Sequence, residues 1–381
     1  MSSAERNPMS DHQVHNHDHA PQPPVRIPRQ EQEDASEEII EVAPGILRLQ
    51  LPTDFTGLGH VNTYAIEDSR GFTLVDPGLP SDASWEALQS RLKAAGIPLA
   101  RVHTTFITHS HPDHFGGAHR LVEEAHSEVL TSTMFRKWTD LLDLDERPLE
   151  PLDPADASEV GTLLDAVAGT DEQEMELQFP GFKAFRDRLR AAIDDGRIEE
   201  LSWMRAPRPT IVVDDSDIVR LGDRDWVAVF TPGHTHDHLC MWSPEDGVLL
   251  SGDHVLPTIT PHIAGFMGGD PLANYLRNLD KVAGIEGVTT VLPAHGHPFG
   301  DLAGRCDAIK DHHADRLQQL VNAAPEAEWA PVTRWSEFLF SERSRGPMAD
   351  SETYAHLEHL RLDERAERRQ TDSGLEYRVA H

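Results

Sequence analysis

Short alternations of apolar and polar residues open the patterned part of the chain near Glu38, first in Ile-Glu-Val-Ala and then, past a Pro-Gly pair, in Ile-Leu-Arg-Leu. A period of two is that of half-buried strands, and Pro-Gly suits the turn between them. Runs over 61–66 and 71–75 flank the polar turn Glu67-Asp-Ser-Arg70, which predicts a hairpin. Asp76-Pro77-Gly78 stops its second strand. Trp85, Leu88 and Leu92 then fall at helical spacing over 84–95, Gly96-Ile-Pro98 ends that run, and 102–107 reads as strand again. Strand, helix, strand in this order predicts an α/β sandwich. Over 116–208 the pattern turns helical and irregular, with Phe179, Phe182, Phe185 and Leu189 at helical spacing; strand runs return at 210–213, 218–221, 226–230, 239–242, 248–250 and 288–292. The expectation is a second α/β half behind a helical insertion at about 134–208. Helical runs at 303–322, 335–340 and 351–363, then a short ending at 374–379, predict three helices closed by a small hairpin.

At 381 residues and 38% hydrophobic, the chain exceeds the roughly 150 residues of one domain. Three parts are expected: a tail at 1–37, a main unit at 38–300 and a C-terminal module at 301–381. The first is rich in Pro, Gln, Ser and His without apolar periodicity, and reads as disordered. Its His12, His15, His17 and His19 lack the folded shell that fixes a metal ligand. The balance of 34 Lys+Arg against 65 Asp+Glu, a net charge of −31, disfavours nucleic acid as a bulk ligand. No apolar run approaches the ~20 residues that span a bilayer, and no secretory leader is recognisable, so a cytoplasmic protein without a membrane partner is expected. Two cysteines, Cys240 and Cys306, exclude a disulfide framework.

Among the 23 histidines, three fall with an aspartate inside six positions, His109-Ser-His111-Pro-Asp113-His114, directly after the strand run that ends at Ile107. Imidazole and carboxylate are the ligands that borderline divalent metals take. A solvated polar turn would account for this stretch alone. It would not account for His234 in Thr-Pro-Gly-His-Thr, Asp253 in Ser-Gly-Asp or His295 in Pro-Ala-His-Gly, each placed after another predicted strand. Loops at one edge of a sandwich can converge, which makes these seven residues a candidate metal site.

These motifs resemble the metallo-β-lactamase-fold hydrolase superfamily, on the branch that includes glyoxalase II, and the C-terminal module is similar to the winged helix of the β-lactamase-like-protein-2 group. The resemblance covers about 38–300 and implies an αββα sandwich. It implies two divalent ions, Zn2+ foremost with Fe2+ or Mn2+ as alternatives: His109, His111 and His234 on the first, Asp113, His114 and His295 on the second, and Asp253 bridging. A hydroxide shared by the metals would attack substrate, with Asp113 steering it and acting as general base. Asp76 matches an aspartate that supports the site from a strand end, and His238 matches a histidine that braces the loop after Thr-Pro-Gly-His; the roles of His236 and Asp237 stay open.

Other residues are weighed without the resemblance. His103, inside a strand, reads as a satisfied core or edge histidine, and His312 and His313 as a solvated helix face. His254 and His297 adjoin ligands and could support them from behind, contact substrate or be merely exposed, the last two being favoured. The segment 255–262 leaves from the metal-bearing edge as a candidate pocket wall, which makes His254, Thr258 and His262 candidate substrate contacts. Trp138, Phe179, Phe182, Phe185 and Trp203 could line a channel, although helical aromatic spacing is more often packing.

The leading expectation is hydrolysis of a small acyl ester, thioester or lactone. The alternative is a single-stranded RNA endonuclease or phosphodiesterase, and a minor one a winged-helix nucleic-acid-binding regulator. Both lack a basic stripe, and the 351–359 helix is acidic and histidine-bearing. Packing or formation of a homodimer is the expected role of the module.

Overall fold

The structure is a computed structural model that describes residues 29–55, 57–135, 172–178, 180–195, 208–265, 269–326, 328–371 and 374–380. Strands β1 (Ile40–Ala43), β2 (Ile46–Pro52), β3 (His60–Glu67), β4 (Phe72–Val75), β5 (Val102–Phe106), β6 (Glu128–Ser132) and β7 (Ile211–Val213) form a seven-stranded sheet in that order. A five-stranded sheet holds β8 (Ile218–Leu221), β9 (Arg224–Phe230), β10 (Leu239–Ser243), β11 (Val248–Gly252) and β12 (Thr290–Pro293), consecutive strands being neighbours.

Successive strand side chains point to opposite faces, so an unbroken apolar strand serves two cores. Leu239 and Met241 of β10 and Val248 and Leu250 of β11 meet Tyr64, Val75 and Phe106 between the sheets. Their neighbours Cys240, Trp242 and Leu249 face outward against the helices Pro271–Ala283 and Leu302–Ala323. On the other side Leu49, Leu51 and Leu74 pack on Trp85, Leu88 and Leu92 of α1 (Asp82–Ala94). The result is a four-layer αββα sandwich. Because β4 runs parallel to β5 and β11 parallel to β12, while β9 and β11 are both antiparallel to β10, the C-terminal ends within each sheet share an edge. That edge carries the site.

Three features depart from the pattern reading. The stretch read as helical holds strand β6, whose Val129 to Ser132 are all buried between parallel neighbours and so show no alternation. The helix Pro271–Ala283 was not predicted. It starts on Asp270, whose carboxylate accepts the N–H of Ala273 at 2.8 Å, and buries Leu272, Tyr275, Leu279 and Val282 on one face. Third, part of the segment read as disordered tail is built into the fold: Gln30–Gln32 form a short 3-10 turn in which Glu31 is fully buried. Its carboxylate accepts the N–H groups of Thr258 at 2.8 Å and Ile259 at 3.1 Å and the Thr258 hydroxyl. A partner 227 positions away leaves no trace in local composition. Residues 1–28, with His12, His15, His17 and His19, lie outside the described residues.

Of the insertion, the described residues form the helices Glu172–Gln178 and Phe182–Asp194, and Phe182 is buried. Trp138, Phe179, Trp203 and the side chain of Phe185 lie outside the described residues. The C-terminal part packs the helices Leu302–Ala323, Val332–Leu339 and Pro347–Leu362 with a small sheet of β13 (Ala330–Pro331), β15 (Gly374–Val379) and β14 (Ala366–Thr371) around Trp335, Leu357 and Tyr377. Among the described residues no helix is long and apolar enough to cross a membrane.

Candidate metal centre

Each candidate ligand leaves a strand at the shared edge. After β5 the chain passes His109 and His111 and enters the one-turn helix α2 (Pro112–Phe115), whose leading proline pre-sets the turn that carries Asp113 and His114. His234 follows β9, Asp253 follows β11 and His295 follows β12. Gly252 sits at φ +50, where an added Cβ would lie 2.6 Å from His238 Nε2; only glycine allows Asp253 to turn into the site so close to that ring.

The seven side chains form two adjoining groups. His109, His111, His234 and Asp253 make one, Asp113, His114 and His295 the other, with the ligand atoms of each within 4.8 Å of one another. His111 Nδ1 lies 3.0 Å from His109 Nε2 and 3.1 Å from His234 Nε2. Asp253 touches both groups: Oδ2 is 3.5 Å from His234 Nε2 and 3.6 Å from His114 Nε2, and Oδ1 is 3.4 Å from His295 Nε2. Asp113 Oδ2 lies 3.5 Å from His114 Nε2 and 3.4 Å from His295 Nε2.

The far side of each ring fixes its aim. His234 Nδ1 donates to the His262 carbonyl at 2.7 Å, and His295 Nδ1 to the His60 carbonyl at 2.6 Å. His114 Nδ1 is 2.8 Å from Asp76 Oδ2, while the same carboxylate accepts the backbone N–H and hydroxyl of Thr108. His238 reaches Thr231 Oγ1 through Nδ1 at 2.8 Å, and its Nε2 accepts the N–H of Asp253 at 3.1 Å.

Burial opposes charge on these rings. It holds His109 well below the ordinary imidazole range, His111 down at about 3, and His234 lowered, so all three carry free lone pairs. In the second group burial is overcome: Asp113 and Asp253 push His114 well up and His295 to about 10. The carboxylates thus draw positive charge to the place where a cation would stand. His114 Nε2, His295 Nε2 and Asp253 Oδ1 are also buried without a hydrogen-bond partner, a costly state unless something binds there. Donor set, burial and unpaired atoms together fit divalent cations.

Sequence reading passed over the struts across the two sheets. Asn62, fully buried inside an apolar strand, donates its amide to the carbonyls of Pro293 and Gly296, both at 2.8 Å, and Tyr64 donates its hydroxyl to Pro293 O at 2.7 Å. Asn62 carried a signal, being a polar residue in the middle of 61–66. Asp237 is fully buried and accepts the Ser110 hydroxyl at 3.1 Å, tying the His109-to-His111 loop to the His234 loop.

The remaining candidates divide. His254 is fully buried rather than exposed, with its ring 5.1 Å from that of Tyr275; it faces the outer helices because β11 ends there. Thr258 gives its hydroxyl to Glu31. His262 is half-buried, and its Nε2 lies 3.2 Å from Met348 O. His297 pairs with Glu33 at 2.8 Å, and His103 with Asp68 at 3.0 Å. His313, expected on a solvated face, is fully buried under the Pro347–Leu362 helix. The covering helix, remote in sequence, makes the difference. Cys240 and Cys306 are buried free thiols.

Comparison with known proteins gives the same picture. Over 339 residues the chain is 22% identical to "Probable metallo-hydrolase YqjP" of Bacillus subtilis, covering 84% of this chain and 93% of that protein. It is 24% identical over 312 residues to "Lactamase-like protein adaB" of Aspergillus niger, covering 81% and 69%. A β-lactamase domain protein of Burkholderia ambifaria superposes with a TM-score of 0.71 at 27% identity, over 91% of this chain and 96% of the other. The metallo-beta-lactamase superfamily model matches residues 56–295, and with most of the sandwich inside that match the chain belongs to this superfamily and is one of its metal-dependent hydrolases.

Proposed function

We propose that the protein is a dinuclear hydrolase of small acyl esters, thioesters or lactones. His109, His111 and His234 would hold one cation, Asp113, His114 and His295 the other, and Asp253 both. The observation that carries this reading is the place of the Asp253 carboxylate between the two groups, with Oδ2 3.5 Å from His234 and 3.6 Å from His114 and Oδ1 3.4 Å from His295. Zn2+ suits the donors best, and Fe2+ or Mn2+ accept the same set. Two such ions would bring the pKa of a water toward neutrality and polarise the oxygen of the bond being cut.

The chain's own groups supply the rest. Burial would raise the Asp113 carboxyl, but His114 and His295 hold it below the usual carboxylate range, so it is ionised; Oδ2 faces those two rings, and the carboxylate would steer the attacking water and accept its proton. His111 is half-buried whereas the other six are buried, so substrate would approach past His111. The wall at 255–262 is held to the Leu302–Ala323 helix by Arg305, which donates to the carbonyls of Leu256 and Ile259, both at 2.6 Å.

Small acyl substrates are favoured over RNA because the arginines that a phosphodiester backbone would need are engaged internally. Arg334 pairs with Glu337, Arg361 with Glu358, Arg368 with Glu174, and Arg369 with Glu376. The Pro347–Leu362 helix, which a DNA-reading role would have to expose, buries Ser351 and Thr353 to Glu358. The test is a substrate panel of p-nitrophenyl esters, acyl thioesters, lactones and bis-p-nitrophenyl phosphate with metal-loaded protein. Turnover of an acyl class above the phosphodiester supports the reading, and the reverse order contradicts it.

A further inference from the structure

Away from the centre just described, His313 of the Leu302–Ala323 helix meets Glu352 and His356 of the Pro347–Leu362 helix, with three ligand atoms within 4.8 Å of one another. Glu352 and His356 are one turn apart and so share a helix face. Both imidazoles are fully buried. We propose that His313, Glu352 and His356 form a separate structural site for a divalent cation of the Zn2+ type, which clamps the C-terminal helices together.

The ring geometry repeats that of the main centre. His356 Nδ1 lies 2.7 Å from the Glu352 carbonyl, which can only accept, so that nitrogen carries the proton and the Nε2 lone pair faces His313 Nδ1 at 3.1 Å. His234 does the same, with Nδ1 2.7 Å from the His262 carbonyl and Nε2 3.1 Å from His111 Nδ1. A carbonyl-anchored imidazole aimed at a second ring nitrogen is how metal-binding histidines are held. Glu352 Oε1, the carboxylate oxygen of the cluster, is buried with no hydrogen-bond partner. Two imidazoles and one carboxylate leave a fourth position for water in a tetrahedral shell. Burial away from the substrate approach at His111 gives the ion a structural role. The competing partner of Glu352 is Arg316, whose Nε lies 3.6 Å from Oε1; that guanidinium also donates to His312 and stacks on Phe340. Without a metal, the two rings would share a single hydrogen bond.

Metal analysis of the zinc-loaded, dialysed full chain separates these states. The His313→Gln and His356→Gln variants are each expected to retain one ion per chain fewer than the wild type while keeping its hydrolytic activity, and Glu352→Gln to lose that ion to a weaker chelator. Equal metal content in the wild type and the folded variants overturns the site. Should the variants not fold, anomalous scattering at the zinc edge from wild-type crystals decides: a peak between His313 and His356 supports the site, and none there overturns it.

Discussion

Asp76 and His114 are joined at 2.8 Å, carboxylate oxygen to Nδ1, beneath the candidate metal centre. Asp76 has φ +51, a left-handed conformation that Asp and Asn tolerate better than other side chains. Asp76→Asn should therefore keep the backbone. It leaves a single carbonyl oxygen where the carboxylate now accepts from Thr108 N, Thr108 Oγ1 and His114 Nδ1, so one contact must turn donor against donor. The expected result is metal affinity lowered about 10- to 100-fold, read by competition with a chromophoric chelator. Unchanged affinity would separate Asp76 from the site.

His238 holds Asp253 through the backbone, and Gly252 makes room for it. Replacing His238 by Ala strands the Asp253 N–H and removes the ring from Thr231 Oγ1, and should cost about 1 to 3 kcal/mol in urea unfolding. Gly252→Ala puts a methyl group 2.6 Å from His238 Nε2 at φ +50; the left-handed backbone alone costs roughly 1 to 2 kcal/mol. Both variants should lose hydrolysis in parallel with stability. A fully active Gly252→Ala protein would show that the turn into Asp253 tolerates a side chain.

Glu31 tests whether the segment before β1 belongs to the working fold. Glu31→Ala should free the backbone N–H groups of Thr258 and Ile259 and, if 255–262 walls the pocket as proposed, raise KM more than it lowers kcat, with faster protease cleavage near residue 30. Identical kinetics and cleavage would mean that the contact is dispensable.

Acid stability should carry the signature of Asp68, which lies far along the chain from the ligands. Burial would raise its carboxyl, yet the N–H groups of Gly71 and Arg70 and the ring of His103 hold it below its ordinary value. A depressed carboxyl contributes stability above its unfolded pKa near 3.9 and loses it as pH falls through the folded value. In urea unfolding, the advantage of the wild type over Asp68→Asn should hold from neutral pH to about 5 and shrink below about 4. A pH-independent gap would contradict the assignment.

The sandwich was legible because its strands obey the two-residue period or carry apolar runs between short turns, as in β9, β10 and β11. The candidate ligands were legible because His and Asp recur just past strand ends. Long-range fitting was not. Strand β6 is recognisable by its parallel neighbours, Glu31 by a loop on the far side of the sequence, and His313 by a helix that covers it. Helix-surface polarity cannot reveal such a cover, and His254 shows the same limit at the strand edge.

The central claim is that the seven converging side chains hold the ions on which hydrolysis depends. It is tested most directly by stripping the protein with a chelator and following ester or thioester hydrolysis as zinc is returned, in the wild type and in His111→Ala. The account predicts negligible rate in the stripped protein, recovery that tracks metal bound, and no recovery in the variant. Full activity without metal, or equal recovery in His111→Ala, would contradict it.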